Sequence, residues 1–254
     1  MHAELPGAVP RASGADPSAR PERRGLILDL GAIEISLREV ERHFADINPF
    51  LDSARDRLDH TAVDHMMTGY AFVDELIAHQ VDLLSVGQLR QFLELNARVL
   101  CGCDVGVRSE VARHLAATEK HFYDNGDGGI RDIVEWHALH ANESAWMRAA
   151  GVYIRILAEP ELFIEGNHRT GALAMSYILA REGHPPFVLT VDNAKDFLDW
   201  SSLLTTKRKS GLVLRWQMPW LKRRFAAFLK EHSETKFLRT RDGALPAMAA
   251  GSDS

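Results

Sequence analysis

Apolar residues recur at helical spacing over most of this chain. Val63, Met66, Met67, Tyr70, Val73, Leu76 and Ile77 fall along one stripe of a 3.6-residue repeat. Leu89, Phe92, Leu93, Asn96, Val99 and Leu100 form a second such segment. Ser36 with Glu39 reads as a capping box opening a helix that carries Leu37, Val40 and Phe44, and Ser85 with Gln88 reads as another. The pattern predicts further helices near 109–122, 129–141, 143–158, 170–182, 192–203 and 214–232. Asp124 to Gly129 is a Gly- and Asp-rich loop or small hairpin turn, and Pro185-Pro186 leads into an extended Phe187-Val188-Leu189-Thr190-Val191. The expected fold is all-α, a helical domain over 25–240 with one small β-hairpin. Residues 1–24 and 241–254 lack apolar periodicity and are expected to be disordered tails.

Composition narrows the class without naming it. Of 254 residues, 46% are hydrophobic and 26% charged, as in an ordinary globular protein. A net charge of −5 argues against a broad nucleic-acid surface. Lys207-Arg208-Lys209 and Lys222-Arg223-Arg224, near Trp200, Trp216 and Trp220, then read as solvated helix faces. Two cysteines, Cys101 and Cys103, are too few for a disulfide framework, which suits a reducing, cytoplasmic setting in which both are small core residues. No apolar run reaches the roughly 18 residues of a membrane span, and no apolar signal core opens the chain. His137 and His140 share a helical face without an acid nearby, a thin metal site, and His60 and His65 read as surface residues.

The densest chemistry lies in Phe163-Ile164-Glu165-Gly166-Asn167-His168-Arg169-Thr170-Gly171. Gly-Asn allows a tight turn with positive φ, which aims successive N–H groups at one point. The helix that follows adds its unpaired N-terminal N–H groups and positive dipole end. Arg169 supplies a planar fork suited to phosphate oxygens. Glu165 is placed to hold a hard cation such as Mg²⁺. The same residues also allow a plain turn and cap, with Arg169 paired to Glu165, and spacing alone leaves both readings open.

Glu161-Leu162-Phe163-Ile164-Glu165-Gly166-Asn167-His168-Arg169 resembles the motif of the Fic (Fido) domain family, H-x-F-x-[D/E]-G-N-[G/K]-R, carried on a loop between two helices of an all-α fold. The resemblance covers about 60–232, and only the loop is specific. It implies that Phe163 anchors the loop in the core and that Glu165 ligates Mg²⁺ on a nucleotide such as ATP. Gly166 and Asn167 would form an anion hole, and Arg169 would meet phosphates. His168, Thr170 and Gly171 complete the implied nucleotide-binding stretch. Fic enzymes transfer AMP, and relatives transfer phosphate, UMP or phosphocholine, to a hydroxyl of a target protein, so such a protein is the implied partner.

The chain departs from the motif at three positions. Glu161 stands where the family has its general-base His, or Glu159 if Pro160 takes the place of the Pro that follows that His. A Glu with its ordinary pKa of about 4.3 is a weaker base than a His at about 6.5. His168 replaces the second Gly or Lys and offers either a phosphate donor, a substitute base or a packing residue. Ala172 stands at the family's second Arg, and the matching inhibitory pattern [S/T]-x-x-x-E-[G/N] is absent. The expected catalytic residues are therefore Glu161 and His168, with a catalytically silent binding protein as the alternative.

Overall fold

The computed structural model describes residues 25–55, 58–124, 129–206 and 212–240, with side chains of the last segment placed from Met218 onward. The expected tails, the turn at 125–128, Lys207-Arg208-Lys209 and the Trp216 side chain lie outside the described residues. Ten α-helices account for most of the described chain. They are α1 (Leu30–Ile47), α2 (His60–Ala78), α3 (Leu89–Cys101), α4 (Val105–Glu110), α5 (Ala112–Asp124), α6 (Ile130–Leu139), α7 (Ala145–Leu157), α8 (Asn167–Arg181), α9 (Val191–Thr205) and α10 (Leu212–Glu231). Strands β1 (Leu26–Leu28) and β2 (Leu238–Thr240) pair antiparallel, Ile27 opposite Arg239. The fold is all-α with this one small antiparallel pair, whose strands come from opposite ends of the described chain.

Several helices start where a short polar side chain can take an otherwise unpaired N–H. Asp29 accepts from Ala32, Asp59 from Ala62, Asp104 from Val107 and Ser144 from Met147, while Thr190 and Asn193 cap α9 reciprocally. Two expected caps fall elsewhere. Ser36 sits inside α1, buried, its hydroxyl donating to the Leu189 carbonyl, because Asp29 starts that helix about two turns earlier. Ser85 caps no helix; its hydroxyl donates to Asp82, and a short 3-10 turn at Val86–Gln88 precedes α3. The segment expected at 109–122 is split at Val111 into α4 and α5.

α8 is the centre of the molecule. Every residue from Thr170 to Ala180 is buried, so the helix is enclosed on all sides. It packs on α7, α2 and α3. Gly171 permits the close approach to α7: a Cβ there would stand 2.7 Å from the Tyr153 ring. Among the described residues no helix is long and apolar enough to cross a membrane.

Candidate functional site

The segment from Glu161 to Gly171 links α7 to α8, and its shape is set by interior bonds. Phe163 is buried, stacked on Phe122 at 5.4 Å and Phe92 at 6.0 Å between ring centroids. Gly166 has φ +80°, a left-handed turn that a side chain would strain and that Asn96 would crowd at 3.0 Å. Asn167 braces the loop. Its Oδ1 accepts from Phe163 N at 2.9 Å, and its Nδ2 donates to the Phe163 carbonyl at 2.8 Å and to Glu161 Oε2 at 2.6 Å. From α3, Asn96 Nδ2 donates to the Glu165 carbonyl at 2.9 Å and to the Thr170 hydroxyl at 3.0 Å. From α5, His121 Nε2 lies 3.0 Å from the Glu161 carbonyl.

These bonds divide the expected site residues into two groups. Glu161, Asn167, Thr170 and Gly171 spend their side chains or their space on the loop and the α7–α8 contact. Glu161 holds Asn167, where a free base had been expected. His168 and Arg169 turn the other way and line a cavity of about 500 Å³ bounded by α1, α2, α8 and α9. Glu165 lines neither: its side chain is 62% exposed, 3.5 Å from His114 Nε2.

The start of α8 has the features of an anion-receiving helix end. Its first helical bond runs from Thr170 N to the Gly166 carbonyl at 2.9 Å, so the N–H groups of Asn167, His168 and Arg169 precede it. Gly166 supplies no capping side chain. Arg169 donates through Nη1 to the Val99 carbonyl at 3.0 Å and pairs with no carboxylate among the described residues. Burial pushes its pKa down, with Glu165 and Asp59 pulling the other way from a distance.

His168 is half-buried beside Arg55, with Nε2 and Nη1 3.2 Å apart. Arg55 can only donate, so Nε2 accepts and the imidazole proton sits on Nδ1. That nitrogen is buried with no hydrogen-bond partner among the described residues. Desolvation first, then the charges of Arg55 and Arg169, push the His168 pKa down to about 4, leaving the ring neutral near pH 7. A base this weak takes a hydroxyl proton poorly; a neutral donor toward an anion is the better fit.

Three residues at the cavity escaped sequence reasoning. Arg55, Asp59 and His65 all line it. Arg55 comes from the α1–α2 connection, 113 positions from His168, and no local spacing marks it. His65, expected on the surface, faces the cavity because α2 turns that side toward α8. Other expectations change too. Lys222, read as solvated, is 6% exposed and donates to both oxygens of Glu143 at 2.7 Å. Cys101 is buried, as expected, but Cys103 is exposed because α3 has ended at Gly102.

A nucleotide with Mg²⁺ is what the motif resemblance implies, and the residues fit it in part. Among the described residues no three metal-ligating side chains gather in one place. Glu165 alone could give a carboxylate oxygen to a cation that arrives with phosphates, the usual way Mg²⁺ is held. No family model, no curated protein and no solved structure matches this chain.

Proposed function

We propose that this chain is a Fic-like binding protein that takes the phosphate groups of a nucleotide, or of another phosphate-bearing ligand, at the start of α8. One observation carries the reading: Arg169, on the first turn of a helix that lacks a side-chain cap, has a half-buried guanidinium whose partner among the described residues is a carbonyl alone. A buried charge without a counter-ion is costly, and phosphate oxygens would answer it together with the helix N–H groups. Glu165 would add one ligand to a cation carried by those phosphates. When bound, Mg²⁺ would neutralise phosphate charge.

Binding is favoured over transfer by the state of the two expected bases. The Glu161 carboxylate is engaged by Asn167 at 2.6 Å, and His168 is held at a low pKa by burial first and by two neighbouring cations second. The chain would then act by occupancy, as a regulator of a partner protein.

The test is thermal unfolding of the full chain with ATP, ADP, UTP or pyrophosphate, with and without Mg²⁺, beside incubation with labelled nucleotide and cell lysate. The expected result is a rise in Tm with at least one phosphate ligand, its loss in Arg169→Met, and no labelled protein. No shift with any of them in the folded chain would overturn the reading. Labelled protein that disappears in Glu161→Gln or His168→Gln would establish the transferase instead.

A further inference from the structure

The cavity behind the loop is larger and more apolar than a phosphate needs. At about 500 Å³ it falls within the roughly 300–1,000 Å³ typical of small-molecule sites. Its walls are mainly side chains such as Phe44, Leu58, Met66, Leu189, Phe197 and Leu198. Its charged groups are few and of mostly one sign.

Two guanidinium groups face it, and among the described residues every hydrogen bond they make goes to a neutral group. Arg55 donates to Ser202 Oγ at 2.9 Å and to the Leu198 carbonyl at 3.2 Å, besides its contact with His168. Arg169 donates to the Val99 carbonyl. One carboxylate also lines the cavity, that of Asp59, and its Oδ1 caps α2 by accepting from Ala62 N at 2.8 Å. Cationic charge therefore exceeds anionic charge around a space whose remaining lining is apolar.

We infer that this cavity is a binding site for a small amphipathic anion, with a carboxylate or phosphate monoester head against Arg55 and Arg169 and an apolar body among Phe44, Leu58, Met66 and Phe197. Neither half of such a ligand suffices alone. A bare anion would leave the apolar walls facing water, and an uncharged hydrocarbon would strip water from two cations without replacing it. The site extends beyond the nucleotide reading, because Arg55 and the apolar walls lie outside the motif loop.

Isothermal titration of the full chain with decanoate, decyl phosphate and uncharged decanol tests it. Saturable one-to-one binding of at least one anion is expected, with decanol weaker by roughly ten-fold or more. Arg55→Gln should weaken the anions by a similar factor and leave decanol unchanged. Ala62→Phe, which puts a ring into the cavity from α2, should abolish binding of all three. Tighter decyl phosphate would point to a phosphorylated amphiphile and tighter decanoate to a fatty carboxylate; either supports the site. No saturable binding to the folded chain, equal affinity for decanol and decanoate, or anion binding that survives Ala62→Phe would overturn it. Circular dichroism checks folding of each variant, and Ala62→Phe with the decanol comparison decides the matter if Arg55→Gln does not fold. The Tm response to pyrophosphate, read in Ala62→Phe, should persist, so either reading can fail alone.

Discussion

Two of the places where this molecule buries positive charge treat it in opposite ways. At the α6–α7–α10 contact, Lys222 meets both oxygens of Glu143 at 2.7 Å and sits 5.1 Å from the Trp136 ring, whose face also carries Arg155 at 4.1 Å. There Lys222 is matched by a carboxylate, and Arg155 lies over an aromatic face, outside the lining of the cavity at α8. At the start of α8, the hydrogen bonds of Arg55 and Arg169 among the described residues go to carbonyls, a hydroxyl and a neutral imidazole, around a cavity. The first arrangement builds a structure. The second keeps an electrostatic need open, which is what a binding site for an anion requires.

The contrast breaks most visibly through Glu143. Glu143→Gln strands the Lys222 ammonium in a nearly closed site and should cost about 3 kcal/mol in urea unfolding, the low end for breaking a buried pair because Glu143 is partly exposed. A loss below about 1 kcal/mol would mean that the pair matters no more than a surface ion pair.

Acid separates the two regions next. His137, beside Arg148, and His168, beside Arg55 and Arg169, both have pKa values pushed down by burial from 6.5 to about 4. Between those limits the unfolded chain holds more protons than the folded one, so stability falls as pH drops from about 6.5 toward 4. Each ring should contribute about 3 kcal/mol to that fall, and His137→Asn or His168→Asn should remove its share, measured as urea midpoints across the range. A bound anion raises the pKa of His168 and not of His137. Saturating ligand should therefore flatten the slope in wild type and in His137→Asn, and leave it unaltered in His168→Asn.

The smallest effect is the sharpest. Arg169→Met removes a buried cation without orphaning a carboxylate, so stability should change by no more than about 1 kcal/mol while the response to phosphate disappears. A large loss of stability would show that Arg169 is a structural group like Lys222.

The helices and the turn were legible in the sequence because their causes are local. Apolar spacing marked α2 and α3, and Gly166-Asn167 announced the left-handed step that opens α8. The capping residues were harder, since Ser36 and Glu39 satisfy the capping pattern but Asp29 reaches the free N–H groups first. The site was half legible. His168 and Arg169 lie on the first turn of α8 and line the cavity, yet Asn167 became a brace because Phe163, four positions back, offers both a donor and an acceptor. Arg55 left no trace, because it reaches His168 only after α1, α2 and α9 have assembled around it. The exposure of Cys103 and the burial of Lys222 were likewise decided by where a neighbouring element ends or crosses.

The pairing of Leu26 with Thr240 and of Leu28 with Leu238 sets the first and last described strands side by side. The described helices therefore start and finish side by side at one spot, with Leu26 against Gly183 just past the C-terminal end of α8, the end opposite the loop. A short peptide bridge from Thr240 to Gly25, with new termini cut in an exposed connection, should yield a circular permutant with the same helices in a different order. Tags or reporters attached through that spot would leave the cavity unobstructed, which makes it the natural handle for immobilising the protein in ligand screens.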